Sequence, residues 1–191
     1  GKEAFLGCNL EELTLPVGLE QVGEMALVMY GAHHGSTAPS LKDLKVDPRN
    51  VRFFMAESLL MERTSDGFKA IHYTDTEPCV VVPEGTKAIA PYAFNGARNL
   101  HELTLSTEIA NIGMRGLAVD CHIDLVQINL ASPLEGHERF AFAFPATDRG
   151  THHLQLALGV PQYLDIEGLF AAYDNAIVHA RNFDSSDDIA I

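Results

Sequence analysis

The feature that most constrains this chain is an apolar pattern that recurs along it. Its centre is Leu-x-x-Leu-x-Leu, and in two copies Ala-Phe, a glycine and an asparagine come before it. The apolar triplets are Leu10, Leu13, Leu15; Leu41, Leu44, Val46; Leu100, Leu103, Leu105; and Ile123, Val126, Ile128. A chain that repeats itself in this way is predicted to fold as a stack of similar units.

The copies follow one another at a regular distance. From Ala4 to Ala26 the chain advances 22 residues, and from Ala93 to Gly116 it advances 23. Both distances fall in the range of about 20–29 residues that is usual for repeats built around one short strand. An apolar residue and a glycine follow two of the triplets, as Val22-Gly23 and Ile112-Gly113. We interpret these glycines as tight bends where a side chain would obstruct the neighbouring coil.

The end of each triplet alternates apolar and polar residues, as expected of a short strand with one buried face. One such strand cannot bury its apolar face alone, so successive strands are expected to stack and share a core. The Ala-Phe position, as in Ala93-Phe94, is predicted to form a wedge on the opposite wall. The predicted fold is therefore an α/β-type repeat solenoid with short stacked strands on one side and turns on the other.

The repeats resemble those of BspA-like (treponemal-type) bacterial leucine-rich-repeat proteins, whose pattern is similar to Ile-Gly-x-x-Ala-Phe-x-x-Cys-x-x-Leu-x-x-Leu-x-Leu-Pro. The matching positions are Phe5, Cys8, Leu10, Leu13, Leu15, Pro16, Val22, Gly23, Ile89, Ala93, Phe94, Leu100, Leu103, Leu105, Ile112 and Gly113. The resemblance covers residues 2–130, with Leu27 and Leu117 at the phenylalanine position. It implies a right-handed leucine-rich-repeat coil, an adhesin-like role in protein binding, and a location at the bacterial cell surface or outside the cell.

A segment at residues 47–82 interrupts the repeats and is similar to an interlude found in the same family. The similarity lies in Val46-Asp47-Pro48-Arg49-Asn50, Ser58-Leu59-Leu60 and Val82-Pro83-Glu84-Gly85. Independently of that similarity, Ser65-Asp66-Gly67 separates two apolar-bearing runs at residues 59–64 and 68–73. Because Asp-Gly between such runs is a strong hairpin signal, a β-hairpin is predicted here.

The pattern changes after Leu130, so two domains are predicted: a repeat solenoid at 2–134 and a helical cap or small docking module at 135–191. One helix is expected from Thr147 or Asp148 to Leu158, with Gly159 at its end. A second is expected after Asp165, where apolar residues have helical spacing. Those apolar residues are Ile166, Leu169, Phe170, Tyr173 and Ile177.

The polar residues of the strands are the candidate binding surface. Residues that flank the apolar positions point outward, and stacking brings them into columns, the usual recognition surface of such repeats. The predicted columns are Glu12, Asp43, Glu102 and Leu125, and beside them Thr14, Lys45, Thr104 and Gln127. Because this surface is polar and partly acidic, a basic or polar protein segment is the expected partner. The alternative is that these residues only keep the sheet soluble.

Charge and cysteine content narrow the classes of function. The net charge of −13 disfavours binding to the phosphate backbone of nucleic acids. No apolar run reaches the length of about 18 residues needed to span a membrane. The three cysteines, Cys8, Cys79 and Cys121, lack the spacing of a zinc or redox site and are expected to be small buried thiols.

Catalytic and metal-binding motifs are also lacking. Neighbouring histidines, as in His33-His34 and His152-His153, do not converge on one metal in a strand or a helix. The chain has no nucleophile elbow, phosphate-binding loop or dinucleotide fingerprint. We therefore expect no enzymatic activity, no cofactor and no metal, and a metal-dependent enzyme using these histidines is the third-ranked hypothesis.

The leading hypothesis is a protein-interaction scaffold, a fragment of a bacterial surface leucine-rich-repeat protein that binds a protein ligand through its strands. The alternative is a structural spacer within a larger protein, in which another segment carries the activity. The chain opens with Gly1-Lys2 and no initiator methionine, and because Ala4-Phe5 already matches the repeated pattern, its start is expected to lie inside a repeat. End-to-end self-association is retained as a further alternative.

Overall fold

The computed structural model describes residues 1–6, 8, 10–28, 41–95, 97–114 and 116–118, and beyond these the strand backbone at 125–130, 136–137, 142–143, 152–158, 176–182 and 189–190. Within these ranges the chain forms strands and turns, and helices are absent. Consequently, this part of the chain has no helix of the length and hydropathy needed to cross a membrane.

The strands are short, as the repeat length requires. In chain order they are β1 (Glu12–Leu15), β2 (Asp43–Val46), β3 (Phe53–Ala56), β4 (Leu59–Arg63), β5 (Phe68–Tyr73), β6 (Cys79–Val81), β7 (Thr86–Ile89), β8 (Glu102–Thr104), β9 (Asn111–Ile112), β10 (Leu117–Ala118), β11 (Leu125–Leu130), β12 (Gly136–His137), β13 (Phe142–Ala143), β14 (His152–Leu158), β15 (Ala176–Asn182) and β16 (Ile189–Ala190).

The strands that carry the apolar triplets pair side by side in parallel. β1 pairs with β2, while β6, β8, β11, β14 and β15 follow one another in a larger sheet that β16 ends in antiparallel orientation. Their inward apolar residues, such as Leu15, Leu44 and Leu103, are buried. Parallel strands from successive copies of one pattern are what a stacked repeat requires.

A second six-stranded sheet has the order β12-β9-β7-β5-β4-β3. β5, β7, β9 and β12 are parallel, whereas β3, β4 and β5 form an antiparallel meander. The turn between β4 and β5 lies at Ser65-Asp66-Gly67, where Gly67 has a φ of 150°. The predicted β-hairpin is therefore confirmed, and β3 adds a strand to it that the sequence did not indicate.

Backbone hydrogen bonds between successive copies hold the turn side of the fold. The Phe5 N–H donates to the Ala26 carbonyl (3.0 Å), and the Phe94 N–H donates to the Gly116 carbonyl (2.9 Å). The predicted wedge is confirmed at Phe94, which is buried and stacks on Tyr73 with ring centroids 5.4 Å apart. Gly113 is a close approach, because a Cβ there would lie 2.5 Å from the Pro91 backbone nitrogen.

The described core divides into two apolar clusters on the two faces of the meander. The larger cluster includes Met61 and Ala70 of the meander together with Phe94 and Leu103. The smaller cluster comprises Leu15, Leu27, Leu41, Leu44, Phe53 and Leu60. Because side chains alternate along β4, Leu60 enters the smaller cluster and Met61 the larger. The meander is thus a wall that is apolar on both sides.

The prediction of a helix ending at Leu158 is wrong over residues 152–158, which form β14 and pair in parallel with β11. In this stretch Leu154, Leu156 and Leu158 occupy every second position, and a period of two is typical of a strand. The helix was predicted from capping signals at its ends, and the period of two outweighs them. Most of the second predicted helix lies outside the described residues, and the last apolar residue assigned to it, Ile177, belongs to β15.

A helical cap is therefore not supported in the described part of the tail. The strands after residue 134 extend the sheets that precede them, since β12 pairs with β9 and β13 pairs with β10. The division into domains at 2–134 and 135–191 stays a prediction.

Candidate functional site

The residues predicted to bind a partner lie on two groups of parallel strands. On β1 and β2, Glu12 lies opposite Asp43 and Thr14 lies opposite Lys45. Glu12, Thr14 and Lys45 are exposed and Asp43 is half-buried, as the alternation of the strands requires. These four residues form a compact polar surface, here called the amino-terminal patch.

The charges of the amino-terminal patch partly neutralise one another. The Lys45 Nζ donates to Asp43 Oδ2 at 2.6 Å along the same strand. This hydrogen bond, and then the charges of Asp43 and Glu12, raises the pKa of Lys45 above its usual value. Among the described residues Glu12 forms no ion pair, so its carboxylate is the unneutralised acidic group of the patch.

The second group of predicted residues lies on β8 and β11. Glu102 lies opposite Leu125 and Thr104 lies opposite Gln127, which is the register that the repeat spacing predicted. The Glu102 side chain is exposed and Thr104 is half-buried. For Leu125 and Gln127 the strand register alone is described.

Two residues on this surface were not predicted from the sequence. Cys79 of β6 lies opposite Glu102, and Val81 lies opposite Thr104. Both side chains are exposed, and Val81 is 66% exposed despite its apolar character. The signal that could have found them is the alternation at residues 79–82, where Val80 and Val82 are buried. We call Cys79, Val81, Glu102 and Thr104 the central patch.

The prediction of one continuous column through Asp43 and Glu102 is wrong in the described structure. β2 pairs with β1, whereas β8 lies between β6 and β11 in another sheet. The physical reason is the interlude, whose strands β3, β4 and β5 leave the repeat and join the opposite sheet. β6 then takes the position beside β8 that the prediction gave to β2.

The prediction of buried thiols is also wrong for two cysteines, because Cys8 and Cys79 are exposed and free. Cys121 lies outside the described residues. No group of histidine, cysteine and carboxylate side chains arranged to hold a metal occurs among the residues described. His33 and His34 lie outside them, and His152 and His153 begin β14.

A turn beside the amino-terminal patch is held rigidly by one buried side chain. The Asn50 amide nitrogen donates to the carbonyls of Pro16 (2.8 Å) and Leu19 (3.2 Å), and its carbonyl oxygen accepts from the backbone N–H groups of Arg52 and Phe53. In the same turn, hydrogen bonds from Arg49 lower the pKa of Asp47 to about 2. Asn50 thereby fastens the turn after β2 to the turn after β1.

The comparisons with known proteins agree with the repeated pattern. The family described as "BspA type Leucine rich repeat region" matches this chain with 6 copies, over residues 1–34 and 69–146. The chain belongs to this family. As a BspA type leucine-rich-repeat region it belongs to a class that is typically non-enzymatic, and its sheets of short strands fit a repeat fold.

Two further comparisons extend less far. One solved structure, described as the crystal structure of pneumococcal vaccine antigen PcpA, is similar at 16% sequence identity with a TM-score of 0.46. The alignment covers 91% of this BspA type chain and 56% of the PcpA chain, so the chain matches little more than half of that protein. The comparison with curated proteins finds no match.

Proposed function

We propose that this chain is a protein-interaction scaffold, a leucine-rich-repeat solenoid from a bacterial surface protein, and that it binds a protein ligand through its outward strand faces. The observation that carries the proposal is the register of the strands. It aligns Glu12 with Asp43, Glu102 with Leu125, and Thr104 with Gln127. Such in-register columns give a rigid surface with fixed spacing between side chains.

The chemistry of this surface favours a basic or polar protein segment. Glu12 and Glu102 contribute exposed carboxylates, and Thr14 and Thr104 contribute hydroxyl groups that both donate and accept hydrogen bonds. A specific protein interface covers about 800 Å² on each partner, which a row of several strands can supply. Binding would rest on complementary shape and charge, with no covalent step.

The proposal is tested by pull-down of extracellular-matrix and bacterial surface extracts with the full chain, followed by binding measurements on the captured protein. We expect the double change Glu12→Lys, Glu102→Lys to weaken binding by at least about tenfold, because it reverses two charges of the recognition surface. The matched control is Glu20→Lys, Glu57→Lys, which makes the same change in net charge at two exposed residues outside both patches. The control should leave affinity within about twofold.

Each outcome has a distinct meaning. If the control variant also loses the partner, the loss of binding is caused by the change in net charge and not by the strand faces. If the Glu12→Lys, Glu102→Lys variant still binds the partner, the strand faces are not the binding surface. Capture of no partner would favour the structural spacer, in which the repeats only separate other parts of a longer protein.

A further inference from the structure

Among the described strands β6 is the last of its sheet, and one of its edges has no neighbouring strand there. The Val82 N–H donates to the Thr104 carbonyl, and the Glu102 N–H donates to the Pro78 carbonyl. In a parallel pair, every second residue of a strand bonds to the same neighbour. Residues 78, 80 and 82 therefore bond to β8, and the backbone N–H and C=O groups of Cys79 and Val81 face the other side. Among the described residues these groups have no backbone partner.

Two other strands that end a sheet, β2 and β3, carry protection that β6 lacks. Natural proteins blunt exposed edges with charged side chains, lysine above all. β2 carries the ion-paired Lys45 and Asp43 on its outward face. At β3, the Arg63 guanidinium donates to the carbonyls of Val51 and Phe53 at 3.4 Å and 3.3 Å. β6 carries Cys79 and the 66% exposed Val81 instead.

Charge around this edge is acidic. Glu102 lies directly beside Cys79 on the neighbouring strand, and the exposed Glu77 lies two residues before it. Pro78 and Pro83 bound the strand, so the open edge offers the backbone groups of two residues, Cys79 and Val81. A segment that pairs with this edge would gain backbone hydrogen bonds, apolar contact with Val81 and, if it is basic, attraction to the two carboxylates.

We propose that β6 accepts an extended segment of a partner protein as an additional strand, with a β-branched residue beside Val81 and a lysine or arginine near Glu77 and Glu102. Strand addition gives affinity through main-chain hydrogen bonds and specificity through alternate side chains. This contact uses the edge of the sheet, whereas the function proposed above uses its face. A second copy of the chain is a poor occupant, because each copy carries a net charge of −13.

The experiment uses the full chain and a synthetic peptide of alternating valine and threonine with lysine at both ends. Binding is measured by NMR titration together with hydrogen exchange of the Val81 amide. We expect the peptide to bind and to slow exchange at Val81, whose N–H becomes hydrogen-bonded. Replacing the terminal lysines by glutamates should weaken binding by about tenfold.

Val81→Pro is the decisive variant, because proline removes the N–H on the open edge and leaves every bond between β6 and β8 in place. Because this variant has no amide proton at residue 81, the peptide titration alone is its readout, and peptide binding should weaken by at least about tenfold. The matched control, Val81→Thr, keeps both the N–H and the β-branched shape and should bind within about threefold. A peptide N-methylated at alternate residues, which cannot donate along one edge, should fail to bind even if Val81→Pro does not fold.

Equal binding of the N-methylated and unmodified peptides would overturn the proposal, as would unchanged exchange at Val81. The double change Glu12→Lys, Asp43→Lys alters the amino-terminal patch alone, so it should leave peptide binding intact. Loss of peptide binding in that variant would place the contact on the strand face and count against the open edge. Failure of strand addition and failure of face recognition are therefore separable.

Discussion

The two apolar clusters of this chain are closed in different ways. The larger cluster gathers buried residues from the interlude and from the repeats that follow it, including Leu59, Leu100 and Leu105. The smaller cluster gathers residues of β1 and β2 and is closed by Phe53 and Leu60, which belong to the interlude. The amino-terminal strands therefore depend on the interlude for their core, and the comparison shows that the meander supports the packing on both of its sides.

The largest effects are expected from the two fully buried phenylalanines, Phe53 of the smaller cluster and Phe94 of the larger, each 1% exposed. Truncation of a buried phenylalanine to alanine lowers the free energy of unfolding by about 3–5 kcal/mol. We expect the loss for Phe94→Ala to lie near the upper end of this range, because the Phe94 ring also stacks on Tyr73. Urea denaturation of both variants measures the difference, and a larger loss for Phe53→Ala would contradict it.

Two neighbouring residues of β4 test whether the two faces of the meander pack against separate clusters. Leu60 and Met61 are both 0% exposed, yet they enter different clusters. Each change to alanine should lower the free energy of unfolding by about 2–5 kcal/mol. Hydrogen exchange should locate the damage: Leu60→Ala speeds exchange mainly in β1 and β2, and Met61→Ala mainly in β8. The same exchange pattern for both variants would mean that the clusters behave as one core.

His72 of β5 should make stability depend on pH. Burial lowers the pKa of His72 to about 4 from an ordinary value of 6.5, so the folded chain holds the imidazole neutral while the unfolded chain binds a proton below pH 6.5. The contribution of His72 to the free energy of unfolding is therefore fully present above pH 6.5. It decreases as the pH falls from 6.5 to 4, and it changes no further below pH 4. The total loss is on the order of 3 kcal/mol.

Urea denaturation between pH 4 and pH 8 measures this slope. The variant His72→Gln removes the titrating group and should flatten the decrease between pH 6.5 and 4. His101→Gln, a change at an exposed histidine, is the matched control and should keep the wild-type slope. A slope that survives in His72→Gln would assign the pH dependence to other groups.

The smallest expected effect concerns Asn50, which links the turns after β1 and β2. Asn50→Ala removes the donor to Pro16 and Leu19 and the acceptor for two backbone N–H groups. Because buried backbone groups lose their partners, the free energy of unfolding should fall by about 1–3 kcal/mol. Asn50→Asp keeps the acceptor and loses the amide donor, so its free energy of unfolding should lie between those of the wild type and Asn50→Ala. Equal stability of all three proteins in thermal denaturation would show that this link contributes nothing.

The sequence could predict the elements that depend on neighbouring residues. The Asp-Gly hairpin at residues 65–67, the register of Glu12 with Asp43, and the close approach at Gly113 are all read from local chemistry or from the repeat length. The tail shows the limit of such reasoning. Between residues 147 and 158, capping signals indicated a helix. The alternation of Leu154, Leu156 and Leu158 indicates a strand instead, and residues 152–158 do form a strand.

The sequence alone determined that this protein is built from leucine-rich repeats, because an apolar pattern at a spacing of 22–23 residues can bury its short strands only against one another. The tertiary structure alone decided how the strands are divided between sheets. Which sheet β3 and β6 join depends on contacts between residues far apart in the chain, and no local pattern encodes a choice between two available sheet edges. That choice separated Asp43 from Glu102, placed Cys79 and Val81 beside Glu102 and Thr104, and left the edge of β6 open.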